Sequence, residues 1–173
     1  MLLTLMTTLP KKYIIGFDPG IGRLGFAVLS GQPSKPELIK IGCWETNPQL
    51  PQNQRLLQLG QQITKLLKKY QPIKAGLEKL FFSKNVKSAL NVAEARGVIS
   101  FLLTAQACPI IELSPQEVKI AATGQGRADK IQVQKMLQLT FKLKTIPQPD
   151  DAADALAVAL ATLVQPSFLA NLR

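Results

Sequence analysis

The stretch Phe17 to Gly25 reads FDPGIGRLG, one acid set among three glycines and a proline, directly behind the apolar run YIIG at 13–16. A glycine-rich loop that opens a helix cradles phosphate, whereas a lone carboxylate at a strand end is placed to hold a metal. FDPGIGRLG has no Lys followed by Ser or Thr, and the LGFAVL that ends it and continues beyond it (24–29) reads as a second strand, not a helix. It therefore fails as a phosphate-binding P-loop. Its glycines are read as letting the chain turn tightly from strand one into strand two. That leaves Asp18 at the end of strand one.

Working outward, residues 13–17 form strand one, 24–29 strand two and ELIKIGCW (37–44) strand three, with Pro33 and Pro36 marking the connection before it. Three strands in succession predict an antiparallel meander. Leu56, Leu59, Ile63, Leu66, Leu67 and Tyr70 recur at helical spacing, so residues 53–70 are expected to form an amphipathic helix ended by Pro72. Residues 73–77 lead into a fourth strand finishing at Glu78, which after a helical crossover is most simply parallel to an earlier one. A polar loop, 79–87, precedes a long helix over 88–107, and IIEL (110–113) is strand five. SPQE (114–117) is a capping box with Pro at the first helical position. GQGRAD (124–129) breaks the chain before a helix over 130–140, and PDDAADALAVALA (149–161) opens the last helix. Without repeats or low-complexity tracts, this is one α/β domain over 13–165, with 1–12 as a flexible lead-in and 166–173 as a tail.

Composition removes whole classes of chemistry. With no histidine and only Cys43 and Cys108, the chain has no Cys/His zinc site, no Ser-His-Asp triad and no Cys-His dyad. Any catalysis falls to carboxylates or lysines, and the cysteine usage favours a reducing, cytoplasmic setting. No apolar run approaches the roughly 20 residues of a membrane helix, and no basic residue precedes the short apolar stretch at the N-terminus, which argues against a signal peptide. Twenty-one Lys and Arg against eleven Asp and Glu give a formal +10, which favours a polyanionic partner, most simply nucleic acid. Lys79, Lys84, Lys87, Arg96, Lys119, Arg127, Lys130 and Lys135 fall from residue 79 onward, several in loops with Gly, Ser and Asn that suit phosphate contact. A solvated basic surface remains the plainer alternative.

The few acids are placed informatively. Asp18 and Glu78 end strands one and four, so parallel neighbours would bring both to one sheet edge, where α/β folds bind ligands. Asp151 and Asp154 are three apart at a helix start and share a face, with alanines at 152, 153 and 155 leaving room for close approach to the sheet. Carboxylates crowded together repel and are desolvated, and divalent cations resolve that conflict. Singly, each has a plainer role: Asp18 as a turn residue before Pro-Gly, Glu78 as a partner of Lys79, and Asp150, Asp151 and Asp154 as helix-start complements. Together, on a basic chain without histidine, they favour a metal-dependent nuclease.

At these residues the chain resembles the RuvC family of Holliday-junction resolvases, within the RNase H-like nuclease superfamily. Four blocks in order carry the resemblance over about 13–162: IIGFDPG (14–20), LEKLFFSKNVKSALNVAEARG (77–97), EVKIAATGQGRADKIQV (117–133) and PQPDDAADALAVALA (147–161). It implies an RNase H-like mixed five-stranded sheet flanked by helices. By resemblance, Asp18, Glu78, Asp151 and Asp154 are the acidic ligands of two Mg²⁺ ions (Mn²⁺ substituting), and Asp150 stands where no acid is required. Lys119 and Lys130 match basic residues near the scissile phosphate, and Phe81 matches an aromatic that stacks on a base near the crossover. Lys84, Asn85, Arg96 and Arg127 are expected as further DNA contacts.

The resemblance also implies a homodimer, with the helix after residue 88 contributing to its contact, symmetric nicking of a four-way junction, and the RuvA–RuvB branch-migration complex as a partner. The family usually carries Thr where this chain has Leu24. Alternatives on the same fold are a nuclease acting on RNA or ordinary duplex, a catalytically silent junction-binding protein, and a phosphate-binding relative of the actin-like group. The intact acid quartet argues against silence, and the lack of a second Asp-Gly phosphate loop against the last.

Overall fold

The computed structural model describes residues 11–79 and 86–165, the side chains of 86–88 excepted. β1 (Ile14–Asp18), β2 (Arg23–Gln32) and β3 (Lys35–Glu45) make the antiparallel meander. α1 (Gln52–Tyr70) leads to β4 (Lys74–Glu78), and α2 (Val86–Ala105) to β5 (Ile110–Leu113). α3 (Pro115–Thr123), α4 (Lys130–Thr140) and α5 (Asp150–Val164) follow. The sheet order is β3-β2-β1-β4-β5, with β4 parallel to β1 and β5 parallel to β4. This is the mixed five-stranded RNase H-like sheet that the sequence led us to expect. Among the described residues, no helix is long and apolar enough to cross a membrane.

Both faces of the sheet are covered, so its central strands are buried throughout. Ile15 and Phe17 of β1, Leu24, Phe26 and Val28 of β2, and Ala75 and Leu77 of β4 pack under α1 and α2. The alternate positions Ile14, Ala27 and Leu29 face α3, α4 and α5. Side chains alternate along a strand, so Asp18 follows Ile14 and Gly16 to the α5 face, and Glu78 follows Gly76. The period of two therefore sets which side of the sheet receives the acids.

Three sheet glycines bring α5 down onto that face. A Cβ at Gly25 would lie 1.9 Å from the Asp151 carbonyl oxygen, one at Gly16 2.2 Å from the Ala159 nitrogen, and one at Gly76 1.8 Å from Thr162 Oγ1. Helix backbone thus rests against strand backbone, and the touching positions 151, 155, 159 and 162 form one helical stripe. Gly25 lies inside β2 directly opposite Asp18, within the expected strand two, and there it serves the backbone contact with α5 as well as the strand. At the far end of α5, the buried Lys74 donates from Nζ to the Gln165 carbonyl at 2.7 Å. This satisfies an acceptor left open where the helix stops.

Several boundaries move, for local reasons. β2 and β3 extend beyond the expected 24–29 and 37–44 because they close through Pro33–Ser34 alone, with Gln32 paired to Lys35. Pro36 belongs to β3 and not to the connection, opposite Gly31. A proline is tolerated there because β3 is an edge strand, whose outer side needs no N–H donor. α2 runs two residues earlier than expected, and its end is closed by the Cys108 N–H donating to the Leu103 carbonyl, with Ala107 left-handed. Leu24 is fully buried on the α1–α2 face.

Candidate active site

α3 and α4 begin at capping boxes that fix where their lysines stand. Ser114 Oγ accepts from the Glu117 N–H while the Glu117 carboxylate accepts from the Ser114 N–H at 2.7 Å. That carboxylate is held below its usual range by the Ser114 hydrogen bonds. Asp129 and Gln132 repeat the arrangement at α4 and place Lys130 at its first position. Gly124, left-handed at φ 76°, ends α3 between them. Lys119 and Lys130 are thereby presented to one cleft of about 260 Å³, together with Asp18, Glu78 and Asp154. A larger groove of about 1190 Å³, between α1 and α2, lies away from these acids.

The cleft is electrostatically strained in the direction the acid spacing implies. Burial, then the neighbouring carboxylates Asp154, Asp151 and Glu78, push Asp18 from 3.8 up to about 7, against an opposing pull from Lys130. Burial and then Asp154 raise Glu78, with Lys119 opposing. Asp154 is raised by burial although Lys130 donates to it at 3.1 Å. Burial lowers Lys130, but Asp154 and Asp150 outweigh it and leave the ammonium more firmly protonated than usual.

Asp151 is turned differently from Asp154. Its carboxylate faces Arg23 at 3.4 Å and lines an adjoining cleft that shares Asp18 with the first. Asp150 is bound to α4 through Lys130 at 3.1 Å and Gln134 at 3.3 Å. Among the described residues, no three acids stand at metal-holding spacing. Asp154 and Asp151 are taken up by Lys130 and Arg23 instead. The donor set nevertheless fits a hard divalent cation, being carboxylate oxygen without nitrogen or sulfur. Carboxyls that raise one another are also what such an ion would relieve.

The remaining expected contacts divide. Phe81, Lys84 and Asn85 lie outside the described residues. Arg127 is exposed in the bend between α3 and α4. Arg96 is spent on structure: its side chain is 12% exposed, donates to the Glu78 backbone carbonyl and pairs with Glu112. The expected DNA contact at Arg96 thus has a structural competitor, since its largely covered guanidinium ties the strand end that carries Glu78 to β5. Sequence reasoning missed Arg23, although it stands inside FDPGIGRLG. It also missed Arg55 and Thr46, whose only signal is contact between segments distant in the chain.

A mixed sheet of this order, with carboxylates ending the parallel strands β1 and β4, is of the RNase H-like class. The family model for crossover junction endodeoxyribonuclease RuvC matches residues 14–162, and the chain belongs to that family. A RuvC of Thermosipho melanesiensis is 45% identical over 155 residues, 90% of this chain and 99% of that relative. One from a Roseiflexus species is 44% identical over 146 residues, covering 84% and 87%. The structure of Thermus thermophilus RuvC in complex with a Holliday junction substrate matches with a TM-score of 0.82 and 30% identity, covering 87% of this chain and 92% of that one. A yeast mitochondrial Holliday junction resolvase shares the fold at a TM-score of 0.64 and 17% identity, covering 91% and 80%.

Proposed function

We propose that this RuvC family member is a metal-dependent endonuclease that resolves four-way DNA junctions by paired, symmetric nicks, leaving 5′-phosphate and 3′-hydroxyl ends. The observation that carries the reading is the convergence of Asp18, Glu78 and Asp154 with Lys119 and Lys130 on one cleft. Asp18, Glu78, Asp151 and Asp154 would hold two divalent cations, Mg²⁺ in the first place with Mn²⁺ substituting. When bound, these supply an activated water and neutralise charge on the leaving oxygen. For that, Asp154 must exchange Lys130 for a cation and Asp151 must exchange Arg23. Lys130, released, and Lys119 then stand within the cleft to offset charge developing on the scissile phosphate.

Paired nicks require two sites, hence a two-fold dimer. The apolar groove between α1 and α2, lined by the exposed Leu57 (61%) and Phe101 (72%), is the surface we assign to that contact. Phe81 is assigned to base stacking beside the crossover, with Lys84, Asn85 and Arg127 as further DNA contacts. The reading places the protein in the cytoplasm with RuvA–RuvB as its branch-migration partner.

The test is a mobile four-way junction with Mg²⁺ or Mn²⁺, alongside linear duplex and RNA, using wild type and Asp18→Asn. Paired junction nicks that vanish in the variant while binding survives support the proposal. Equal cutting of duplex or RNA, or no cutting by wild type with either ion, overturns it.

A further inference from the structure

Two clefts meet at Asp18. One holds Glu78, Asp154, Lys119 and Lys130, and the other holds Arg23, Glu45, Thr46, Arg55 and Asp151 beside the β1–β2 turn. In the second cleft Arg23 is committed to acids, at 3.4 Å from Asp151 and 4.0 Å from Glu45. Arg55 is not. Among the described residues it forms no ion pair, although the charge it carries is half-buried and held in place.

The holding is specific. Thr46, 6% exposed, donates its hydroxyl proton to the Ile21 carbonyl at 2.6 Å, so its oxygen can only accept from Arg55 Nε, at 2.8 Å. The Thr46 N–H also donates to the Gly22 carbonyl at 3.1 Å, which ties the same residue to the turn after Asp18. Binding through Nε leaves the two Nη groups, the fork that pairs with phosphate oxygens. Gly22 lies beside that fork with no side chain to cover it, a Cβ there falling 3.5 Å from Nη2.

We infer that Arg55, oriented by Thr46, is a phosphodiester-binding residue that grips the cut strand at a phosphate neighbouring the scissile one, in the cleft across Asp18 from Lys119 and Lys130. The inference rests on the nuclease reading above and adds the path of the strand: one cleft, the Asp18 edge, then the other. Fixing the phosphate next to the reacting one limits its sliding, which is how a substrate is held in register for attack. Arg23 keeps Glu45 as a partner even when Asp151 turns to a cation, so Arg55 is the positive charge in this cleft that no described acid pairs with.

The experiment measures binding of a synthetic four-way junction in EDTA across a salt titration, for wild type and Arg55→Met, with thermal unfolding of both. Loss of one phosphate contact is expected to reduce the slope of log K against log salt by about 0.9. Affinity should fall on the order of tenfold, as for a lost charged hydrogen bond. An Arg55→Met protein that melts like wild type and keeps its slope and affinity overturns the inference.

Neutral methylphosphonates placed singly along the cut strand give a test that needs only wild-type protein. One position beside the scissile phosphate should weaken binding, and no effect at any flanking position overturns the inference even if Arg55→Met fails to fold. A wild type that neither binds nor cuts junctions defeats the functional reading itself, a separate outcome.

Discussion

Replacing Gly25 by alanine tests whether the close seating of α5 sets the active site. The added Cβ would lie 1.9 Å from the Asp151 carbonyl oxygen and 2.5 Å from its carbon, both backbone atoms that no rotamer change can move. Restoring a 3.4 Å contact requires the start of α5 to withdraw by about 1.5 Å. Asp151 moves with its own backbone, and Asp154, one turn along, moves with it. Asp18 stays, being held in β1 between β2 and β4.

Overpacking of this kind costs about 1–3 kcal/mol. The lower chain entropy of alanine returns about 0.4–1 kcal/mol. At about 2–4 °C per kcal/mol for a chain of this size, the melting temperature should fall by several degrees. The larger effect is on chemistry, where a displacement near 1 Å costs about 10²-fold. The assay is single-turnover junction cleavage with metal-free junction binding and thermal unfolding in parallel. Cleavage should fall about a hundredfold while binding stays within a few-fold. A Gly25→Ala protein that melts and cuts like wild type refutes the argument that backbone contact positions the acids.

Further outcomes follow from the same cleft. Because burial and its neighbours raise Asp18 from 3.8 to about 7, its contribution to metal-free stability is fully present below about pH 4 and is lost as pH rises through 7. In EDTA, Asp18→Asn should therefore gain on wild type in urea unfolding across that window, and a loss there contradicts the sign. At pH 8, Mg²⁺ should raise the wild-type melting temperature by binding the folded state and leave Asp18→Asn nearly unmoved; equal shifts would place the ion elsewhere. Arg96→Ala releases the Glu78 carbonyl and Glu112, so cleavage should fall with the salt slope of junction binding unchanged; a reduced slope would restore it as a DNA contact. Ser114→Ala removes an α3 cap and should cost about 1 kcal/mol in denaturant unfolding, and an unchanged midpoint would make that cap dispensable.

Much of this protein is legible from local pattern. Strand alternation, the helical spacing of α1, the capping box at Ser114 and the acids closing strands one and four depend on neighbours in the chain. The absence of histidine and the positive charge limit the chemistry without any structure. Four matching blocks in order also point to the family. What local pattern misreads is contact between distant backbones. Gly25 reads in the sequence only as a strand-two position close behind the turn glycines Gly20 and Gly22, yet it is required by the Asp151 carbonyl, more than a hundred residues away. Arg96 looks like a free cation until β5 supplies Glu112 and β4 the Glu78 carbonyl.

Arg55 looks like one polar position on an amphipathic helix until Thr46 and the Ile21–Gly22 turn are seen to fix it. The sequence by itself determined which acids and bases are available and at which element ends they sit, because residue type and periodicity are local properties. Only the tertiary structure decided which base answers which acid and how near α5 approaches the sheet. Those depend on side-chain reach and backbone clearance, distances that exist only once the layers have packed.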